Sequence, residues 1–144
     1  LDFDLDLAKD RNWRKNPAYT VQYAYARTHG IERKAIELGL EMPKAGEFDA
    51  TALNLPEEFE LIKKLGEFPE MIERASATYE PHHVAYFLRA VAGLWNPYIQ
   101  DGVRHRVVSD DQELTAARLG LTLAVRVVLE NGLRVLGIST PERM

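Results

Sequence analysis

The chain has 144 residues, of which 46% are hydrophobic and 28% are charged, a balance typical of one folded globular domain. This composition excludes a disordered protein, and no apolar run reaches the roughly 18 residues that a membrane-spanning helix needs. The absence of cysteine excludes disulfides, thiolate metal sites and thiol nucleophiles and is typical of an intracellular protein, so we expect a cytoplasmic location.

The net charge of −4 is unevenly distributed along the chain. Residues 1–40 carry seven basic and six acidic side chains, and so do residues 81–144. Residues 41–80 carry four basic and ten acidic side chains, so the acidic surplus lies in this middle segment. Since acidic groups repel phosphate, any nucleic-acid contact is expected to use the two flanking segments.

The apolar pattern predicts helices joined by short breaks, without the two-residue alternation of a strand. The first helix begins at Asn16-Pro17, an N-cap residue followed by a proline, and extends to Leu40. Gly30 weakens this helix by about 1 kcal/mol relative to alanine, so a kink is allowed there. Residues 41–54 are predicted to form a loop.

Two short helices follow, one over residues 56–66 and one that starts at Pro69. A longer helix starts at Glu80-Pro81 and carries an apolar stripe at three- and four-residue spacings. We expect it to end at Trp95, because Pro97 disfavours helical geometry at the residue before it.

Residues 96–108 are predicted to be an excursion between helices. The final helix is predicted to begin at a capping box formed by Ser109 and Gln112 and to end at Gly137. Its core face is expected to carry apolar residues at helical spacing, namely Leu121, Val125, Val128 and Val135. The expected fold is therefore all-α, a helical bundle of about five or six helices.

The sequence contains no glycine-rich phosphate loop and no nucleophile elbow. His82 and His83 are adjacent, so on a helix they point about 100° apart and are not expected to share a metal ion. Glu57, Glu58 and Glu60 are interpreted as a solvated helix face. The residues alone therefore predict a non-catalytic domain without a metal or cofactor.

One candidate binding surface lies on the first helix. Tyr19 and Tyr23 are four residues apart, and Gln22 and Arg27 add hydrogen-bonding groups to the same stretch. Aromatic and amide side chains on one helix can stack on bases and read their edges. The alternative is that the tyrosines pack in the core of the bundle with their hydroxyls at its rim.

A second candidate surface lies in residues 95–108. This stretch contains Trp95, Tyr98, Arg104 and Arg106. Aromatic residues interleaved with basic residues suit a site for single-stranded nucleic acid. The alternative is an ordinary loop between helices.

These segments resemble parts of the arginyl-tRNA synthetase family. Residues 16–27, with the pattern N-P-x-Y-x-V-Q-Y-A-x-A-R, look like the stretch that follows the family's catalytic core. Residues 80–88 resemble the middle of its DALR anticodon-binding domain, and residues 119–138 resemble its last helix. Residues 139–144 resemble its terminal S-x-P-E-R-M, so the resemblance spans the chain in the right order.

The resemblance implies that residues 1–144 form a single anticodon-binding domain, and that residues 1–15 are the junction after a missing catalytic domain. A leucine rather than a methionine as the first residue fits a piece cut from a longer chain. The full enzyme of this family uses ATP, with magnesium, to activate arginine and attach it to tRNA. Its H-I-G-H and K-M-S-K-S-like signatures are absent here, so this chain alone is expected to form no arginyl-adenylate.

The implied partners are arginine tRNA, through its anticodon stem-loop, and the catalytic domain of the same chain, with no membrane and no DNA. Every arginine codon has G in the middle, so the middle anticodon base is always C. A cytosine needs an acceptor for its amino group and donors for its ring acceptors. Met144 resembles the family residue that approaches the anticodon pocket. The expected tRNA-binding residues are Tyr19, Gln22, Tyr23, Arg27, Trp95, Tyr98, Arg104, Arg106 and Met144.

The sequence departs from the family's usual pattern at Thr20, at Tyr25 and in residues 94–106. Two alternatives to this function stay open. The chain could be the anticodon-binding domain of another class I synthetase, such as the cysteinyl enzyme, although residues 16–27 and 139–144 argue against that. It could also be a helical protein-interaction module that binds no RNA, which a tRNA-binding measurement would separate.

Overall fold

The computed structural model describes residues 5–12 and 14–144, and over these ranges all regular structure is helical. The predicted all-α bundle of five or six helices is confirmed. Residues 1–4 and 13, which belong to the predicted 1–15 junction, lie outside the described residues. The helices are α1 (Leu5–Lys9), α2 (Pro17–Glu37), α3 (Pro56–Gly66), α4 (Phe68–Thr78), α5 (His82–Gln100) and α6 (Gln112–Val135).

The start of α2 is fixed by Asn16. Its side-chain oxygen accepts from the backbone N–H groups of Ala18 and Tyr19, as an N-cap does. Its Nδ2 donates to the carbonyl oxygens of Ala8 and Asp10, each at 3.0 Å, so one side chain caps α2 and holds the segment before it. The helix continues through residue 30 and ends three residues earlier than predicted.

The core lies where α2, α5 and α6 pack against one another, with α3 and α4 against α5. Leu121, Val125 and Val128 of α6 are buried, as the apolar stripe predicts. Val135 was expected in the same stripe but is 60% exposed. It is the last residue of α6, and the final buried turn is supplied instead by Gly132 and Leu133.

The predicted end of α5 at Trp95 is wrong, because the helix continues through Pro97 to Gln100. A proline inside a helix costs about 3 kcal/mol, since it removes one hydrogen bond and crowds the preceding turn. The continued helix buries Trp95 and Tyr98, which are 0% and 2% exposed. Each buried large apolar side chain contributes about 1.5–3 kcal/mol, so together the two aromatic residues offset the proline.

The loop over residues 41–54 is confirmed, with one short 3-10 helix at Ala50–Ala52. Its Phe48 ring packs directly on Gly120 of α6, where a Cβ would overlap the ring. The two short helices that follow it are also confirmed, as α3 and α4.

The structure contradicts the predicted start of α6 and confirms its predicted end. The helix is capped by Asp111, whose side chain accepts from the Leu114 N–H at 3.0 Å, so the predicted capping box at Ser109 is wrong. Ser109 instead donates its backbone N–H to the Thr115 hydroxyl. The end at Gly137 is confirmed, since this residue has φ +68° and its N–H donates to the Arg134 carbonyl.

None of the helices in residues 5–12 and 14–144 combines the length and the apolar character that crossing a bilayer requires.

The packing of α6 predicts the cost of truncating its core. Leu121 is 3% exposed, so Leu121→Ala should lower the free energy of unfolding by about 2–5 kcal/mol through lost burial and a cavity. Val135→Ala, on the same helix but exposed, should change it by about 0.5 kcal/mol or less. Urea unfolding followed by circular dichroism measures both, and equal effects would contradict the assigned core face.

Candidate nucleic-acid interface

A groove of about 210 Å³ lies between α2 and the last residues of the chain. Its charged and large side chains are Tyr23, Arg27 and Arg33 from α2 and Arg143 and Met144 from the tail. The sequence predicted Tyr23, Arg27 and Met144 at the binding site and missed the other two. Residues 23, 27, 30 and 33 recur at three- and four-residue spacings, a signal that could have found Arg33.

The tail reaches this groove because side chains of α2 hold it. Gln22 Nε2 donates to the carbonyl oxygen and to the Oγ of Ser139, each at 3.0 Å. Arg33 Nη1 donates to the carbonyl oxygen of Glu142 at 3.2 Å. Gln22, predicted as a tRNA contact, therefore has its amide engaged with the tail that carries Met144.

A second groove, of about 240 Å³, lies on the other side of Arg27, between α2 and residues 101–108. Lys34 and Arg106 line it together with Arg27, which borders both grooves. Its apolar lining consists of Ile31, Leu38, Ile99, Val107 and Val108. We call the residues that line the two grooves the α2 surface.

The α2 surface is drawn from the flanking segments of the chain, as the charge distribution predicts. Among the described residues, none from the acidic segment 41–80 lines either groove. Within this described set, no carboxylate lies within 4.0 Å of a charged nitrogen of Arg27, Arg33, Arg106 or Arg143. Among the described residues, these four guanidinium groups therefore have no acidic partner for their positive charge, which suits them to bind phosphate.

Tyr23 and Arg27 form one unit on this surface. Arg27 Nη1 donates to the Tyr23 hydroxyl at 3.3 Å, and its guanidinium carbon lies 5.7 Å from the centre of the Tyr23 ring. The contact holds an aromatic ring beside a cation, the pairing that single-stranded nucleic-acid sites use. Tyr19 is half-buried on α2 and lines neither groove.

The location predicted for Trp95 and Tyr98 is wrong, because both lie inside α5 and are buried. Neither ring is accessible to a base in this structure. Tyr98 packs instead inside the bundle, where its side chain is 2% exposed. Its ring stacks on the buried His105 ring with centroids 4.3 Å apart, and the His105 Nδ1 lies 2.8 Å from the Tyr98 carbonyl oxygen.

Arg104 also lies away from the α2 surface. Its Nη1 lies 3.0 Å from Glu57 Oε1, so its charge is paired with the acidic helix α3. Of the two arginines predicted in this segment, the structure brings Arg106 to the grooves and leaves Arg104 beside α3.

The interpretation of Glu58 as part of a solvated face is wrong, because this side chain is 0% exposed. Its Oε1 accepts from the Tyr98 hydroxyl at 2.7 Å and from Arg118 Nε at 2.8 Å. Its Oε2 accepts from the Leu55 N–H at 3.1 Å. Glu58 is three residues before Leu61 on the buried face of α3, a signal that could have indicated its burial.

Arg118, which sequence reasoning missed, links this carboxylate to residues 101–108. It is 6% exposed, and its Nη1 and Nη2 donate to the carbonyl oxygens of Arg106 at 2.9 Å and Arg104 at 3.4 Å. The available signal was its place in the apolar stripe, three residues before Leu121. A charged residue at a core position requires a buried partner.

The expectation that His82 and His83 point too far apart to share an ion is also corrected. Together with Glu80 they place one ligand atom each within 4.8 Å of one another, because side chains in the first helical turn can swing together. Glu80 Oε2 already lies 2.9 Å from His83 Nε2. The first turn of α5 also exposes N–H groups and the positive end of the helix dipole, which oppose a cation.

The protonation states of the buried network follow from its contacts. Burial raises the pKa of Glu58, but hydrogen bonds from Tyr98, Leu55 and Arg118, with the Arg118 charge, bring that pKa below its ordinary value. Burial, followed by the hydrogen bond and charge of Glu58, raises the pKa of the Tyr98 hydroxyl. The network therefore consists of a carboxylate, a guanidinium and a neutral phenol.

The lowered pKa of Glu58 predicts a pH-dependent stability. As the pH falls through 4.5, the ordinary value, the unfolded chain takes up the proton before the folded chain does, so the free energy of unfolding decreases. Above that pH the contribution is fully present. Glu58→Gln cannot titrate, so its stability should fall less steeply between about pH 7 and pH 3. Urea unfolding across this range measures both slopes, and equal slopes would contradict an ionised Glu58.

Comparisons with known proteins identify the family of this chain. The family described as DALR anticodon binding domain matches residues 21–144. An arginine–tRNA ligase of Syntrophotalea carbinolica is 45% identical over all of this chain and 25% of its own length. One of Symbiobacterium thermophilum is 46% identical, with the same coverage. The Thermus thermophilus arginyl-tRNA synthetase structure is 31% identical, with a TM-score of 0.81 over 100% of this chain and 24% of that one.

The chain thus spans about a quarter of the length of the curated relatives that it matches. The resemblance to arginyl-tRNA synthetases is confirmed over the full 144 residues. Since the family match covers all but the first 20 residues, the chain belongs to the DALR anticodon-binding domain family.

Proposed function

We propose that this chain binds the anticodon stem-loop of arginine tRNA, as the anticodon-binding domain of an arginine–tRNA ligase. The observation that carries the proposal is the α2 surface, where two grooves are lined by four arginines that have no acidic partner within the described part of the chain. The relatives support the choice of tRNA, since arginine–tRNA ligases match the whole chain.

The two grooves suit different parts of an RNA loop. Arg33 and Arg143 line the first groove, where they can contact phosphates, and the Tyr23–Arg27 unit places an aromatic ring beside a cation. The second groove has an apolar lining that suits the face of an unstacked base. Gly102 and residues 105–108 line this groove. Their backbone groups and the Arg106 side chain are the candidates for the acceptor and the donors that a middle-base cytosine needs.

The remainder of such a ligase would lie outside this chain. We infer that a catalytic domain in the longer polypeptide uses ATP, with magnesium, to activate arginine and transfer it to the bound tRNA. The part proposed for this chain is to hold the anticodon while that reaction takes place, in the cytoplasm.

The proposal predicts binding that depends on salt and on Arg27. The chain should bind transcribed arginine tRNA, and Arg27→Ala should weaken it by about 1–3 kcal/mol, since the side chain borders both grooves. If Arg27 contacts a phosphate, the slope of log affinity against log salt should fall by about 1. Arg89→Ala is the matched control, because Arg89 is exposed on α5 and lines neither groove.

Fluorescence anisotropy with labelled tRNA at several salt concentrations measures these effects. A tRNA with G in place of the middle anticodon C should bind more weakly than the parent tRNA. A chain that shows no salt-dependent binding to arginine tRNA would contradict the proposal and favour a protein-interaction module.

A further inference from the structure

Gly102 and residues 105–108 line the second groove. They belong to a segment, residues 101–108, that lies outside the helices and is held in part by side chains. Asp101 Oδ1 accepts from the backbone N–H groups of Val103 and Arg104. The His105 N–H donates to the Asp101 carbonyl oxygen at 3.0 Å. These bonds are local, within five residues of one another, so they do not fix where the segment lies relative to the bundle.

That position is fixed from inside the bundle by Arg118. Its Nη1 and Nη2 hold two carbonyl oxygens of the segment, those of Arg106 and Arg104, while its Nε is held by Glu58. A guanidinium presents these donors in one rigid plane, so the direction set by Glu58 also sets the positions of both carbonyls.

His105 provides the second inner contact of the segment. Its ring is buried against Tyr98, and Tyr98 in turn donates its hydroxyl to Glu58. Glu58 therefore orients both partners of the segment, Arg118 directly and His105 through Tyr98. Neither Glu58 nor Arg118 lines the grooves of the α2 surface.

We propose that Glu58 and Arg118 are positioning residues for RNA binding, which hold residues 101–108 so that Arg106 and its neighbours face the second groove. The inference rests on the proposed function, because it concerns the affinity for arginine tRNA. The network orders the segment when the chain folds. The entropy cost of ordering the segment therefore belongs to folding and does not reduce the affinity for RNA. Residues that never contact RNA thus set part of the affinity.

The test uses Arg118→Lys, which keeps the charge but loses the fork of donors. Its affinity for labelled arginine tRNA should fall roughly tenfold when measured per folded molecule. Leu121→Ala is the matched control, because it weakens the same helix, lines neither groove and should leave that affinity unchanged. Circular dichroism at the temperature of the titration gives the folded fraction of each variant.

A double-mutant cycle separates positioning from a general loss of stability. Arg106→Ala should weaken binding in the parent chain and should have a smaller effect in the Arg118→Lys background, because Arg106 is no longer held at the groove. If Arg118→Lys does not fold, Tyr98→Phe removes one hydroxyl donor to Glu58 and should weaken binding in the same direction.

Three results would overturn the inference, and they differ in what else they affect. If the parent chain does not bind arginine tRNA, the proposed function fails together with the inference. If the parent binds and Arg27→Ala weakens binding, but folded Arg118→Lys or Tyr98→Phe binds as the parent does, only the inference fails. Additive effects of Arg106→Ala and Arg118→Lys would also exclude positioning through Arg106.

Discussion

The buried carboxylate of Glu58 is the constraint on which the arrangement of α3, α5, α6 and the adjoining segment depends. A carboxylate that is buried away from water is stable only if its oxygens are fully hydrogen-bonded. Each of the three helices supplies one group of this hydrogen-bonded network. Glu58 comes from α3, the Tyr98 hydroxyl from α5 and the guanidinium of Arg118 from α6. Removing one partner of such a pair typically costs about 3–5 kcal/mol, because the other charge stays buried.

The acidic side chains near this network and the arginines of the grooves lie in different parts of the molecule. The acidic surplus of residues 41–80 lies apart from the grooves, with Glu58 neutralised inside and Glu57 paired with Arg104. On the α2 surface, the arginines have no acidic partner among the described residues. A chain of net charge −4 thus presents a locally basic surface, and the proposed RNA binding needs only that local field.

The helices and their core faces followed from the sequence because periodicity and capping are local. The stripe through Leu121, Val125 and Val128, the cap at Asn16 and the end at Gly137 are all examples. One wrong prediction is local, since the cap of α6 is Asp111 and not Ser109. The larger errors involve contacts between residues far apart in the sequence. Pro97 was expected to end α5, but the burial of Trp95 and Tyr98 outweighs it, and the Glu58–Arg118 pair joins residues 60 positions apart. Tyr23, Arg27, Arg106 and Met144 could be predicted from local motifs and the family resemblance. Arg33 shares their helix face by spacing, whereas Arg143 joins them only because the tail folds back on α2.

Hydrogen–deuterium exchange of the backbone amides in residues 101–108 tests the role of the network most directly. In the parent chain the N–H group of the buried His105 donates to the Asp101 carbonyl oxygen at 3.0 Å and should exchange slowly. In Arg118→Lys this amide should exchange roughly tenfold faster or more, while the amides of residues 125–133 in α6 keep their rates. Unchanged exchange in residues 101–108 of the folded variant would contradict the account, because the segment would then be held without Arg118.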